Sequence, residues 1–291
     1  MCGITGFFTP LPTQTRDDMQ NALTTMSAAL THRGPDDSGQ WFDETFGIGL
    51  GFRRLAILDL SPTGHQPMTS ANDRYVMVFN GEAYNFGAVR DELTARGVSF
   101  RGTSDTEVLL EAVCAWGLDA ALAKFNGMFA FALWDRQEKT LTLVRDRLGV
   151  KPLYYGWMGN TLLFGSELKA LRAHPAFSAE IDRDTLSLYL RYNYIPTPFS
   201  IYRNVRKLPA GSMLRVQAKT RPGEEEIISY WSAGERMLAS HAQRFTGGEH
   251  QAQDELETLL TNSIRERMIS DVPLGAFLSG GVDSSTVVAL M

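Results

Sequence analysis

Apolar residues come first in a short run of strand length, Gly3-Ile-Thr-Gly-Phe-Phe8. Over 17–30 the spacing lengthens: Met19, Ala22, Leu23, Met26 and Leu30 recur every three or four positions, which predicts an amphipathic helix. A turn-rich loop, His32-Arg-Gly-Pro-Asp-Asp-Ser-Gly39, leads into apolar segments near 47–60 and 75–79, both read as strands. Helical spacing returns over 86–96 and 105–116, and Ser104 with Glu107 three residues on has capping-box spacing. The segments 128–134 and 140–145 flank a turn at 135–139 and predict a hairpin; 153–157 and 161–165 predict a second around Met158-Gly-Asn160. Strands, two helices, then strands imply stacked sheets covered by helices, an α+β order rather than alternating parallel α/β.

From Ile181 the pattern changes. A helix over 181–194 is followed by Ile195-Pro-Thr-Pro198 and Leu208-Pro-Ala-Gly211, where proline restricts the backbone and marks a boundary region. The stretch 220–248 is polar and reads as irregular, 251–268 as a strong helix, 275–278 as a strand, and 286–291 as a short helix after Ser279-Gly-Gly-Val-Asp-Ser-Ser285. The expected organisation is a first domain over 2–215, its main body ending near 180, a linker over 216–250, and the start of a second domain over 251–291. Because that second unit reaches only its first loop, the chain reads as a fragment.

Composition narrows the classes. With 291 residues, 44% hydrophobic and 21% charged, the chain can bury a large core and has no tract polar enough to be disordered. A formal net charge of −5 offers no basic field for nucleic acid or an anionic membrane. Pro10 and Pro12 break the opening apolar run and no segment has membrane-span length, so a soluble cytoplasmic protein is expected. Two cysteines exclude a disulfide framework and a four-cysteine zinc site; Cys114 lies at helical spacing and reads as a buried inert thiol. The five histidines are scattered, so no metal is expected in the N-terminal domain.

Cys2 is different. It directly follows Met1, and removal of that methionine leaves one residue with a thiol and a free α-amine. The amine, of reference pKa about 8, can serve as base for a thiol of about 8.5. Taken singly, Cys2 is equally an accident of the second position. Asn80-Gly81 is by itself a strong hairpin signal, but the residues after it run into a helix rather than a partner strand. Arg54 beside Arg53 reads as a solvated cation, and Asp105 as a first-turn carboxylate complementing a helix dipole.

The strings occur together, however: Met1-Cys-Gly-Ile-Thr-Gly-Phe7; His32-Arg-Gly-Pro-Asp36; Arg54-Leu55 with Ile57 and Asp59; Asn80-Gly-Glu82 with Tyr84-Asn85; Ser104-Asp105; Gly127-Met-Phe-Ala-Phe131; Arg145-Asp-Arg-Leu-Gly149 with Pro152-Leu-Tyr154; Ser166-Glu-Leu-Lys-Ala170. In that order the chain resembles the class II glutamine amidotransferases of the asparagine synthetase type, from Met1 to Met291. The resemblance implies the αββα sandwich of N-terminal nucleophile hydrolases, Cys2 as nucleophile, and an oxyanion hole from the Asn80 amide and the Gly81 N–H. It also implies a glutamine site in which Arg54 holds the carboxylate, Glu82 and Asp105 the ammonium, and Leu55, Asn80 and Gly81 complete the pocket. The His32 loop is expected to shape that pocket without a catalytic role for His32.

Leu278-Ser-Gly-Gly-Val-Asp-Ser-Ser285 sits at an expected strand-to-helix junction and lacks a Walker A lysine. It resembles the pyrophosphate loop of ATP pyrophosphatases. That likeness implies phosphate contacts from Ser279, Gly280, Gly281, Asp283, Ser284 and Ser285, an adenosine contact from Leu278, and ATP with Mg²⁺ in a doubly wound synthetase domain. The implied reaction is glutamine hydrolysis feeding ammonia through a tunnel to an acyl-adenylate of aspartate, with homodimers usual. Alternatives are a different carboxylate acceptor, as in cell-surface polysaccharide or secondary metabolism, and a non-catalytic binding module.

Overall fold

The computed structural model describes residues 1–10 and 15–291; Pro12 lies outside them. The chain opens with β1 (Gly3–Phe8), α1 (Arg16–Ala28), β2 (Asp37–Asp43), β3 (Ile48–Arg54), β4 (Met68–Thr69) and β5 (Tyr75–Ala83). Next come α2 (Phe86–Ala95), α3 (Asp105–Trp116), α4 (Leu118–Lys124), β6 (Gly127–Asp135), β7 (Thr140–Arg145), β8 (Tyr154–Met158), β9 (Thr161–Gly165) and α5 (Leu168–Arg172). The remainder is α6 (Arg183–Tyr192), β10 (Arg206–Lys207), β11 (Ser212–Gln217), β12 (Glu226–Ser229), α7 (Ala233–His241), α8 (Glu249–Glu266) and α9 (Val282–Leu290).

Two six-stranded sheets result, β10-β8-β9-β1-β3-β2 and β12-β11-β7-β6-β5-β4. The period-two alternation of strand side chains gives each sheet two apolar faces. On the inner faces Ile4, Phe8, Ile48, Leu50 and Phe52 meet Val76, Val78, Ala130, Ala132 and Trp134. Phe8 and Trp134 stack at 5.6 Å between ring centroids. The outer face of the first sheet, with Phe7 and Leu163, is covered by Met19, Leu23 and Met26 of α1 and Leu171 of α5. The outer face of the second, with Met77, Phe79, Phe129 and Phe131, lies under Val89 and Leu93 of α2 and Leu109 and Val113 of α3. Four layers, αββα, follow, each buried aliphatic or aromatic side chain contributing about 1.5–3 kcal/mol.

The pattern-based elements recur with shifted ends, and the differences have causes. β2 was hidden because it is an edge strand whose Ser38 and Gln40 face solvent. Only half of the expected capping box forms: Ser104 Oγ accepts the Glu107 N–H at 3.2 Å, while the Glu107 carboxylate accepts the N–H groups of Arg101 (2.8 Å) and Gly102 (2.9 Å). The stretch 220–248 is not irregular throughout. It contains β12, which extends the second sheet with Ile228 opposite Met213, and α7. The strand expected at 275–278 does not form, since no neighbouring strand among the described residues offers it a ladder. Among the described residues no helix is long and apolar enough to cross a membrane.

Candidate active site

The alternation that builds the inner core also delivers polar residues to one end of it. Along β3 the inward series Ile48, Leu50, Phe52 ends at Arg54; along β5 the series Val76, Val78 ends at Asn80 and Glu82. Cys2 continues the inward parity of Ile4, and the β1–β3 register of Gly3 with Arg53 places Cys2 one step on, beside Arg54. A pocket opens there, lined by Cys2, Arg54, Leu55, Asn80, Gly81, Glu82 and Asp105 together with Met1, Gln66, Thr106 and Lys151. All seven residues expected around glutamine are therefore brought together.

Leu55 clasps the thiol with both backbone groups: its N–H donates to Cys2 Sγ at 3.4 Å and its carbonyl accepts from Sγ at 3.5 Å. Burial pushes the Cys2 thiol up from its ordinary value, opposed by the Leu55 hydrogen bond and by the positive N-terminus and Arg54. From behind, Arg33 Nε donates to the Cys2 carbonyl at 2.9 Å and Arg33 Nη1 to Glu167 at 2.9 Å. Against the upward push of its partial burial, hydrogen bonds from Arg33, His32 and Lys169 hold Glu167 down at about 2. His32 is thus occupied with Glu167, at 3.0 Å, and does not line the pocket.

Arg54 is buried, and backbone carbonyls hold its guanidinium. Nη1 donates to Ser61 at 3.2 Å, and Nη2 to Leu58 at 3.3 Å and to Asp59. Gly64 lies so close that any Cβ there would overlap the guanidinium. Carbonyls orient the group without neutralising it, and among the described residues Arg54 has no carboxylate partner. The charge is left for an anion, and its fork suits a carboxylate.

Asn80-Gly81 makes no turn: β5 runs straight through it, paired with Ala130 and Phe129. Asn80 is 1% exposed, and its Nδ2 has no hydrogen-bond partner among the described residues. Phe79, Gly81 and Ala83 turn their N–H groups to the same side of β5, away from β6, where β4 is too short to pair with them. The Phe79 N–H goes to Gln66 Oε1 at 2.6 Å and the Ala83 N–H to Asp105 Oδ2 at 2.9 Å. The Gly81 N–H between them faces the pocket. A Cβ on Gly81 would lie 2.6 Å from Phe129 Cα, so the strands approach too closely for a larger residue. Two neutral donors thus converge beside the thiol, the arrangement that stabilises a developing oxyanion.

Asp105, the first residue of α3 and 5% exposed, is pushed up to about 6 by burial, with Glu82 adding to the shift and hydrogen bonds from Ala83 and Thr106 opposing it. Neither carboxylate is ion-paired among the described residues. The pocket accordingly sets the Arg54 guanidinium and the Lys151 ammonium beside two carboxylates, a charge set complementary to an α-amino acid. Lys151 was not anticipated. It is 4% exposed, and burial pushes its ammonium down against the opposing negative charges of Glu82 and Cys2. Its only signal was a place between two strings of the resemblance. Cys114, by contrast, is half-buried against the outer core, its thiol pushed up to about 11 by burial.

The other expected site lies elsewhere. Ser279, Gly280 and Gly281 form an exposed turn with Gly280 at φ 79°, and α9 starts earlier than expected, so Asp283, Ser284 and Ser285 stand in its first turn. Ser279 Oγ and Ser284 Oγ share a 2.8 Å hydrogen bond, and Leu278 is 61% exposed. None of the seven lines the Cys2 pocket.

Residues 1–231 match the family model described as a glutamine amidotransferase domain. The chain belongs to the glutamine amidotransferase family. Residues 255–291 of this amidotransferase match the family model described as asparagine synthase. It is 35% identical to asparagine synthetase [glutamine-hydrolyzing] 1 of Bacillus subtilis over 290 residues, covering 100% of this chain and 44% of that protein. It is 37% identical to the putative asparagine synthetase [glutamine-hydrolyzing] 2 of Methanocaldococcus jannaschii, covering 100% and 57%. The amidotransferase thus spans about half the length of these curated relatives. Its fold resembles that of a glutamine phosphoribosylpyrophosphate amidotransferase from B. subtilis, with TM-score 0.53 and 19% identity over 79% of this chain and 49% of that one. A structure described as the allosteric regulatory enzyme of purine biosynthesis gives TM-score 0.56 at the same identity and coverage. The αββα sandwich is thus a fold these two solved structures share.

Proposed function

We propose that the Cys2 pocket hydrolyses glutamine and that the whole protein uses the ammonia for asparagine synthesis. The observation that carries this reading is the buried donor Asn80 Nδ2, without a partner among the described residues, next to the Gly81 N–H in a pocket that also holds the Cys2 thiol, the Arg54 guanidinium and the Glu82 and Asp105 carboxylates. Arg54 takes the α-carboxylate of glutamine, Glu82 and Asp105 take its α-ammonium, and Leu55 holds the sulfur in line. Loss of Met1 leaves the α-amine on Cys2, where it accepts the thiol proton. The thiolate attacks the side-chain amide carbon, Asn80 and Gly81 stabilise the oxyanion, and the amine passes its proton to the departing ammonia. Water then hydrolyses the γ-glutamyl thioester to glutamate.

The second half of the reaction rests on the 279–285 loop. A glycine-rich turn leading into a helix N-terminus, with the exposed side chains of Ser279, Asp283 and Ser285 and the half-buried Ser284, suits the phosphates of ATP, for which Ser279, Gly280, Gly281, Asp283, Ser284 and Ser285 are the proposed contacts and Leu278 the adenosine contact. ATP, with Mg²⁺ on its phosphates, supplies the adenylation that activates aspartate. We propose that the glutaminase unit, expected over 2–215, takes in β12 as the partner of β11, so that the linker expected over 216–250 begins after it and the synthetase unit starts at 251; we place the protein in the cytoplasm, as a homodimer. The test is ammonia and glutamate release from glutamine, after mass spectrometry has established loss of Met1, set against Cys2→Ala. Turnover confined to the processed wild type supports the reading, and equal rates in both would end it.

A further inference from the structure

The end of α8 and the segment that follows it pack at three points against residues that flank the pocket. Glu266 Oε2 accepts the Asn126 side-chain amide at 2.8 Å. The Arg267 guanidinium lies 4.3 Å from the centroid of the Tyr84 ring. Asp271 makes two hydrogen bonds to one loop: its carboxylate accepts the Asp59 N–H at 2.8 Å, and its own N–H donates to the Ile57 carbonyl at 3.0 Å. Tyr84 and Asn126 are joined to each other, the Tyr84 N–H donating to the Asn126 carbonyl at 2.8 Å, just past Glu82. One short segment therefore bridges the loop that holds Arg54 and the strand end that carries Glu82.

The contact at Asp59 is the more consequential. The Leu58–Asp59 peptide is held at both ends: its carbonyl accepts from Arg54 Nη2 at 3.3 Å, and its N–H goes to Asp271. Hydrogen bonds through a single amide polarise each other, so the outer bond strengthens and aims the inner one. Asp59 also sits at φ 53°, a left-handed conformation that costs energy for a residue with a side chain and persists only when its surroundings enforce it. Part of that enforcement is internal, from Ser61, Thr63 and the Thr103 N–H on the Asp59 carboxylate. Arg54 also holds the Asp59 carbonyl, and Asp271, 212 positions away, holds the Asp59 N–H.

We propose that Asp271 is a positioning residue for the glutamine carboxylate: by pinning the Leu58–Asp59 peptide it sets the direction of the Arg54 guanidinium. This rests on the reading of the Cys2 pocket as a glutamine site. Asp271 itself is exposed and does not line the pocket.

The test compares Asp271→Ala and Asp271→Asn with the wild type by two measurements. In glutamine hydrolysis, Asp271→Ala raises KM roughly tenfold, the weight of a hydrogen bond to a charged group, and leaves kcat within about twofold. In hydrogen exchange, the amides of 57–61 exchange faster in Asp271→Ala at unchanged thermal midpoint. Asp271→Asn, whose side-chain carbonyl still accepts the Asp59 N–H, restores most of both. A wild-type KM in Asp271→Ala, or a kcat loss without a KM change, overturns the assignment. Absence of turnover in the wild type would count against the proposed function alone, because the exchange rates of 57–61 still decide whether Asp271 holds the loop.

Discussion

Replacing Asn80 by alanine separates catalysis from binding in this pocket. In the free protein Asn80 Nδ2 is buried without a partner, so its bond to the substrate oxygen strengthens chiefly when that oxygen becomes an oxyanion. Loss of one such donor from a preorganised site costs about 2.7–4 kcal/mol in the transition state, about 10²–10³ in kcat. With glutamine anchored at its other end by Arg54, Glu82 and Asp105, as proposed, KM should move little. Stability should move little as well. An unsatisfied buried donor costs about 1–3 kcal/mol, and its removal offsets much of the small cavity that alanine leaves. Saturating and limiting rates of glutamate release, with a thermal melt alongside, measure all three. A rise in KM at unchanged kcat would refute the reasoning, since it would make Asn80 a ground-state ligand; a fall of many degrees in the melt would make it a core residue.

Three further outcomes follow from the geometry. Burial raises Asp105 to about 6 from an ordinary 3.8, and a bound ammonium requires its ionised form, so KM for glutamine should climb as pH falls below 6 and Asp105→Asn should flatten that dependence. The sign for stability is opposite: the folded chain holds this proton more tightly than the unfolded one, so this group's contribution falls as pH rises from about 4 to about 6, measurable by denaturant titration at each pH. Gly64→Ala should drive the guanidinium of Arg54 out of its carbonyl cradle and raise KM for glutamine by roughly tenfold or more, while a simple amide lacking the α-carboxylate is affected far less. Lys151→Met removes a buried positive charge acting on Cys2, so the pH at which iodoacetamide alkylates Cys2 half-maximally should shift upward; an unmoved profile would show that Lys151 does not act on the thiolate.

Much of the architecture was legible because alternation and helical spacing report which face is buried, and the two central hairpins and α3 emerged almost whole. What failed had no local signal. β2 is an edge strand with a polar face, β12 is an edge strand of only four residues within a polar stretch, and 275–278 has strand composition but no neighbour to pair with among the described residues. At the site, Cys2, Arg54, Asn80 and Asp105 were each ambiguous alone and became specific only through the ordered strings around them. Their convergence was unreadable from spacing, since it needs the Gly3–Arg53 register and the sheet-to-sheet stacking. Lys151 and Asp271 lie far along the chain from the residues they influence, and charge type alone marks neither.

The shortness of β4 has a consequence for solution behaviour. An unpaired sheet edge is a template for a strand of another molecule. Beyond Met68–Thr69 the rim of β5 has such an edge, and side chains close it on either side of Gly81: Gln66 blunts it at Phe79 and Asp105 at Ala83. The groups that frame the substrate therefore also deny the edge to a foreign strand. Variants that lose Gln66 or Asp105 should accordingly be watched for self-association as well as for activity, and an amino acid bound in the pocket should act as a protective cap on that edge.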